Sequence, residues 1–354
     1  MRTTLRQIAD ETNLSVTIVS QVLNNKPCRI SREKREMILQ TALRMNYRPN
    51  LVAVSLVKGS TDTIGLVVSD IRNDFFSVLA KGVEDECQKY NWNVILCNSN
   101  DKHAKDMDNL RMLADKGASG IVFGMASETT AEMAQECIDF MTREHLPYLL
   151  VDRYIETRTG GIVCVDHVKG GHMAAEYLIR TGHRRIACIT GPKNLIDSQQ
   201  RLTGFTQALA EHGLRTDPAY IAEGKYTFSS GEAAVGEILS RKVEIDAVFA
   251  FNDMMAIGAM KRLRASGYRI PEDVSVVGYD DIFMDEFLEV PLTSVRQPTE
   301  EMGRAAARQL ILQEVSYKNN EKRIVFEPEL IERKSVLDRT LRVPGQDVPT
   351  VPED

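Results

Sequence analysis

Apolar residues in the first 46 positions recur at helical spacing, and from Thr63 onward they gather into short runs between amphipathic stretches. Thr4 stands before Leu5, Ile8 and Ala9 and predicts a capped helix over residues 5–12. Ser15 predicts a second helix over 16–23, with Val19, Val22 and Leu23 facing inward. Asn-Asn-Lys-Pro at 24–27 breaks the pattern. Ser31 predicts a third helix through about Asn46, with Ile38, Leu39, Ala42 and Leu43 as its apolar stripe.

Beyond Thr63 the runs are IGLVVSD, WNVILCNS, GIVFGM, YLLVDR, GIVCVD, RRIACITG, AVFAFND, VSVVGYDD and LTSVRQP. Most are separated by ten- to twenty-residue helical patterns such as FFSVLAKGVEDECQKY and HVKGGHMAAEYLIRTGH. This is the rhythm of βαβ units, hence parallel sheets with helices on both faces. Two units of about 100–130 residues fit the length. Several runs end in Asp, Asn, Ser or Gly, and the carboxyl ends of such strands are where α/β sheets gather ligand-binding groups. From about Leu341 the Pro-rich, acidic tail has the composition of a disordered end.

Charge changes the picture of the head. The chain carries a formal charge of −6, with a sequence pI near 5.7. Residues 1–60 nevertheless hold ten Lys or Arg against Asp10, Glu11, Glu33 and Glu36, a local net of +6, which leaves −12 for the remainder. A basic head on an acidic body is the distribution expected when only the head meets a polyanion. No run of about 18 apolar residues predicts a membrane span, and the first residues lack the apolar stretch of a secretory signal. Six cysteines, at 28, 87, 97, 137, 164 and 188, show no metal-like spacing and read as reduced thiols.

Two short helices joined by a tight turn at 13–15 form a candidate helix-turn-helix, and Thr17 and Gln21 share the outward face of the second, beside Val16. Gln pairs bidentately with adenine, and the methyls of Val and Thr contact thymine methyls. The segment LSVTIVSQVLNN has no Lys or Arg. It needs none, because phosphate contacts supply affinity while base contacts supply specificity. Ser20, Arg29 and Arg35 are candidate phosphate partners. A plain three-helix bundle would show similar caps, and spacing alone puts DNA binding only slightly ahead.

The stretches LRQIADETNLSVTIVSQVLNN and REKREMILQTALRMNYRPNLVAVSL closely resemble the headpiece of the LacI/GalR family of bacterial transcription regulators, and the resemblance continues to about residue 338. It implies an N-terminal all-α helix-turn-helix headpiece (1–48), a hinge helix and linker (49–61), and a two-lobed α/β core of doubly wound parallel sheets like periplasmic binding proteins (62–340). The lobes would comprise 62–163 with 294–324, and 164–293 with 325–340, followed by a tail at 341–354. The chain would cross between lobes near 162–166, 290–295 and 322–326. The resemblance also implies base reading by Val16, Thr17 and Gln21, DNA contacts at Asn50 and Ala53, and Leu56 as a wedge in the minor groove. Ile18 stands where the family usually has Thr, and Val54 where many members have Arg.

Candidate pocket groups lie at strand ends or just beyond: Asn73, Phe75, Phe76, Asp152, Arg153, Arg201, Asn252, Asp280 and Gln297. Arg only donates and ionised Asp only accepts, so side by side they bracket neighbouring hydroxyls. Position by position the set resembles that of ribose-binding proteins and ribose-responsive regulators. In that pattern the two phenylalanines contact the ring and the polar groups bond its hydroxyls. Each residue has a plainer reading: Phe75 and Phe76 as core, Asp152–Arg153 as a surface pair, Asn252 and Asp280 as helix caps.

The expected function is a homodimeric, DNA-binding transcriptional regulator, a repressor by family analogy. It would be cytoplasmic and nucleoid-associated, bind a pseudo-palindromic operator, and answer to a small sugar, ribose or a relative, without cofactor or metal. One alternative is a regulator of the same family that answers to a phosphoprotein or another non-sugar corepressor. Another is a sugar-processing enzyme with an accessory head; no P-loop, GxSxG or HExxH supports it, and the six histidines form no catalytic constellation.

Overall fold

The computed structural model describes residues 3–24, 26–47, 61–155, 159–315 and 322–341. The chain divides into two compact units, Met1–Thr61 and Asp62–Asp354.

The first unit holds α1 (Leu5–Thr12), α2 (Val16–Leu23) and α3 (Arg32–Arg44). Each helix begins where a hydroxyl satisfies an amide that the helix leaves unpaired. Thr4 accepts from the Gln7 N–H while Gln7 returns a bond to the Thr4 N–H, and Ser15 and Ser31 cap α2 and α3. Asn13 ends α1 in the left-handed conformation at φ 53°, which turns the chain into α2. Ile8, Ala9, Val19, Val22, Ile38 and Ala42 form the core. On α3, Thr41 joins Ile38 and Ala42 inside, whereas Leu39 and Leu43 point outward, Leu43 at 80% exposure. The expected stripe therefore narrows, because α3 meets α1 and α2 along one side only.

The second unit contains two six-stranded sheets. The first is built from β1 (Thr63–Val68), β2 (Asn93–Asn98), β3 (Gly120–Phe123), β4 (Tyr148–Val151), β5 (Gly161–Val165) and, returning late, β11 (Lys322–Phe326). Their order is β11-β5-β4-β3-β1-β2, all parallel. The helices α4 (Asp74–Lys89) and α11 (Thr299–Ile311) share one apolar cluster with the sheet, through Leu79, Val83, Met302 and Ala306. A separate cluster joins the sheet to α5 (His103–Asp115) and α6 (Ala131–Arg143) through Leu110, Leu113, Cys137 and Ile138.

The second sheet comprises β6 (Ile186–Thr190), β7 (Ile221–Glu223), β8 (Ala247–Ala250), β9 (Ser275–Asp280), β10 (Thr293–Arg296) and β12 (Glu329–Ile331), ordered β12-β10-β9-β8-β6-β7. Only β12 runs antiparallel, against β10. Its helices are α7 (His167–Arg180), α8 (Ile196–Glu211), α9 (Phe228–Ser240) and α10 (Asp253–Ala265).

The lobe boundaries shift from those expected. β5 stays in the first sheet through Val165, β10 pairs with β9 through Arg296, and β11 pairs with β5 through Phe326. The crossings therefore follow residues 165, 296 and 326, and residues 294–296 belong to the second lobe. A strand's partner is decided by tertiary pairing, which an apolar run such as LTSVRQP does not reveal. Among the described residues no helix is long and apolar enough to cross a membrane.

Candidate functional site

In the head, α2 presents Val16 and Thr17 to solvent, with Ser20 and Gln21 half-buried behind them. Burial of Val19 and Val22 fixes this face, since residues three and four apart share a side. Ile18 is partly buried and packs on the head's core, so the apolar residue in place of the family's usual Thr serves packing. Arg29 is exposed. Of the surrounding bases, Arg32 pairs with Glu36 at 2.9 Å and Arg44 with Glu11 at 2.7 Å. Such exposed pairs contribute under about 1 kcal/mol and leave their cations open to competition by phosphate. The expected contacts Asn50, Ala53 and Leu56 lie outside the described residues.

In the core, Asp152 and Arg153 follow β4 directly and are both 5% exposed, so they are not a surface pair. Asp152 adopts φ 65°, a left-handed conformation that Asp and Asn tolerate better than other side chains. Its Oδ1 makes no hydrogen bond among the described residues and lies 3.7 Å from His167 Nε2, while its Oδ2 lies 3.9 Å from Arg153 Nε. Arg153 donates from Nη1 to the Met125 carbonyl at 3.1 Å and approaches Asp101 at 3.4 Å. Its guanidinium lies 5.6 Å from the ring centroids of both Phe76, in the first lobe, and Tyr226, in the second.

Arg201, on the buried side of α8, stacks 3.9 Å from the Tyr279 ring centroid, lies 5.9 Å from that of Tyr226, and donates to the Phe251 carbonyl. Asp280, at the end of β9, accepts from Gln297 Nε2 at 2.7 Å, and Gln297 Oε1 is left without a protein partner among the described residues. Asp152, Arg153, Arg201, Asp280, Gln297 and Phe76 thus belong to one cluster between the lobes.

Other expected residues are engaged elsewhere. Asn73 caps α4, its Oδ1 taking the Phe75 N–H at 3.1 Å. Phe75 is a core residue that meets Phe76 edge-on at 5.1 Å. Asn252 caps α10 by accepting from the Met255 N–H at 3.0 Å, but its Nδ2 also holds the Tyr226 carbonyl at 3.2 Å, so it sets the neighbouring ring.

Two members of the cluster escaped the sequence reading. Asp197 is buried at the start of α8, and Tyr226, at φ 57°, donates to its carboxylate. Asp197 Oδ1 and the nearby strand-end hydroxyl Thr190 Oγ1 are buried without partners among the described residues. An aromatic residue just after β7 was the one available signal, and β7 is only three residues long.

The charges are interdependent. Burial favours a neutral Asp197, but Arg201 and Arg153 outweigh it and hold the carboxyl below its ordinary range. Burial pushes the Asp280 carboxyl well up, with Arg201 opposing. His167 is pushed down by burial and then by Arg201, which keeps the imidazole neutral at pH 7. Burial opposes the Arg201 charge as well, yet its acidic surroundings, Asp197 and Asp280 among them, raise its pKa further.

A helix-turn-helix head whose second helix exposes Val16 and Thr17, followed by two α/β lobes converging on a polar cluster, defines the class of a DNA-binding regulator with a ligand-binding core. The head matches the family model "Bacterial regulatory proteins, lacI family" over residues 4–50, and residues 175–336 match a periplasmic binding protein-like domain. The HTH-type transcriptional repressor PurR of Vibrio cholerae is 36% identical over 338 residues, which is 95% of this chain and 99% of that protein. Among solved structures, a transcriptional regulator CelR–cellobiose complex is 33% identical with a TM-score of 0.70, covering 94% of this chain and 100% of the other. A LacI family regulator from Enterococcus faecium with bound ribose is 28% identical at TM-score 0.69, covering 78% and 99%. The chain belongs to the lacI family of bacterial regulatory proteins and is a DNA-binding transcriptional repressor of that type. Its family comprises regulators rather than enzymes.

Proposed function

We propose that this repressor answers to a neutral sugar, ribose or a related pentose first, bound between the two core lobes. The observation that carries the reading is the convergence of Arg153 and Arg201 on one Tyr226 ring, with Asp152, Asp197 and Asp280 around them. Buried polar atoms without partners among the described residues face the same region: Asp152 Oδ1, Arg153 Nε, Asp197 Oδ1 and Gln297 Oε1. Buried polar groups are nearly always bonded, and alternating strict donors and strict acceptors suit a ring of hydroxyls. Phe76 and Tyr226 offer aromatic faces to C–H surfaces. The cellobiose and ribose complexes of related proteins agree with a sugar.

The head reads operator bases through Val16, Thr17 and Gln21, with Ser20 and Arg29 on phosphates. Sugar shifts the protein toward a state with lower operator affinity, as an inducer does. It can do so only by its differential affinity for the two states, and operator DNA must weaken sugar binding by the same factor. A homodimer, needed for a pseudo-palindromic operator, is supported by an exposed apolar turn carrying Phe283, Met284 and Phe287.

A thermal-shift panel of pentoses, hexoses, sugar acids, sugar phosphates and purines tests the reading, since a ligand selective for the native state raises the melting temperature. A pentose is expected to give the largest shift and to release operator DNA when added alone. A shift with purines and none with sugars overturns the sugar reading. A requirement for a phosphoprotein before free sugar changes operator affinity overturns direct control.

A further inference from the structure

We propose that His172 and Glu176 of α7, together with Glu211 and His212 at the end of α8, bind a divalent transition-metal ion of the zinc class. The four side chains alternate imidazole and carboxylate across the helix pair. His172 Nε2 lies 2.8 Å from Glu211 Oε2, and His212 Nε2 lies 2.6 Å from Glu176 Oε2. One donor atom from each of His172, Glu176 and Glu211 falls within 4.8 Å of the other two. A tetrahedral ion with bonds of about 2.1 Å holds its donors roughly 3.4 Å apart. For His172, Glu176 and Glu211 that spacing lies between the observed pair distance and the outer limit; His212, outside that three-residue group but 2.6 Å from Glu176, would turn about its side-chain torsions to complete the shell. His172 and Glu176 are four residues apart and therefore share one face of α7.

The helices that carry these groups are fixed by close packing. A Cβ at Gly204 of α8 would fall 1.9 Å from the Val168 carbonyl oxygen and 2.6 Å from the His172 nitrogen. A Cβ at Gly171 of α7 would fall 2.1 Å from the Arg201 carbonyl oxygen. Glycines at this contact bring the backbones close enough for side chains to bridge the two helices, and sites on packed helices are better preorganised than sites on loops. The donor set also selects the ion. Calcium and magnesium take oxygen ligands, whereas two imidazoles with carboxylates suit zinc, cobalt and nickel. A bound ion would clamp α7 to α8, the two helices that also supply His167, Asp197 and Arg201 to the cleft.

The test is calorimetric titration of tag-free, chelator-stripped full-length chain with Zn²⁺, repeated with Co²⁺ to read its visible absorption. One ion per chain with micromolar affinity, a raised melting temperature and tetrahedral-type Co²⁺ bands are expected. His172→Ala and His212→Ala should each lower the affinity at least about tenfold, since even outer-shell changes reach that size. Both positions are partly exposed, so circular dichroism and the metal-free melting temperature should stay as in the parent chain. His103→Ala, which removes an imidazole beside Glu136 in the other lobe, should leave the affinity unchanged. Absence of saturable one-to-one binding, or binding that survives both His172→Ala and His212→Ala, overturns the site.

Discussion

Replacing Asp152 with Asn isolates the charge of the group that faces the cleft most freely. Its Oδ1 is not hydrogen-bonded among the described residues, and asparagine accepts the left-handed backbone at φ 65°. His167 is neutral at pH 7, so the cation that matters is Arg153, 3.9 Å away. At an effective dielectric constant of about 20, one such pair is worth roughly 4 kcal/mol by Coulomb's law. Keeping the carboxylate buried costs a comparable several kcal/mol. The two nearly cancel, and the free protein should change in stability by only about 1 kcal/mol, or ~2–4 °C in melting temperature for a domain of this size.

The ligand complex has no such cancellation. A carboxylate accepting from sugar hydroxyls makes charge-assisted bonds of about 1.5–3 kcal/mol each, and losing one weakens binding by roughly 10- to 150-fold. Calorimetry with ribose should record that loss, while fluorescence anisotropy on an operator duplex without effector should stay within about twofold, a few tenths of a kcal/mol. Unchanged sugar affinity would refute the assignment of Asp152 to the ligand. Loss of operator binding, or a fall in melting temperature of ~10 °C or more, would mean that the charge supports the fold.

The other expectations concern the head, the hinge and the buried acid Asp285. Gln21→Ala should cost about 1–3 kcal/mol of specific operator binding and leave non-specific binding unaltered; equal losses in a competition assay would make Gln21 a packing or phosphate residue. Leu56→Ala, at the residue expected to wedge between base pairs, should likewise weaken specific binding far more than non-specific binding. Asp285 is fully buried, and its carboxyl is pushed up to about 7 by burial. The native state therefore keeps a proton that the unfolded chain releases near pH 4, and stability should fall as pH rises from about 4 to about 7. Asp285→Asn should flatten that decline and raise the melting temperature at pH 8. A pH profile parallel to the parent's would dismiss Asp285 as its source.

What the sequence reveals here follows the range of the interactions involved. Thr4, Ser15 and Ser31 act on amides three residues away, so their caps were readable from spacing. Ile8, Val19 and Val22 are buried as helical periodicity requires. Leu39 and Leu43 deceive, because periodicity shows a stripe but not how much of it a partner covers. In the core, Arg153 and Arg201 were found by resemblance, whereas Asp197 and Tyr226 sit in the unremarkable stretches IDSQQR and GKYTFS. Their roles arise only when α8 and the loop after β7 meet, 29 residues apart in the chain. Asn252 shows that the plain and functional readings need not compete, since one side chain caps α10 and also holds Tyr226.

The balance of charge in the cleft narrows the ligand beyond what shape allows. Arg153 and Arg201 supply two permanent cations near one Tyr226 ring. Against them stand Asp152, Asp101 and Asp197, the last held ionised by the two arginines. Asp280 adds little negative charge, because burial pushes its carboxyl well up, and the neighbouring His167 adds no positive charge. The two cations thus face two buried carboxylates and the part-exposed Asp101, so the buried charges already balance in a site where uncompensated charge is expensive. A ligand bringing another negative charge must displace or protonate one of those carboxylates, whereas a neutral polyol bonds to every group without altering the sum. The cleft should therefore prefer a neutral sugar to its acid or phosphate by at least about an order of magnitude, the size of one charge-assisted hydrogen bond. A sugar acid or sugar phosphate emerging as the tightest ligand in calorimetry would show that the arginines, not the carboxylates, dominate the field in the closed site.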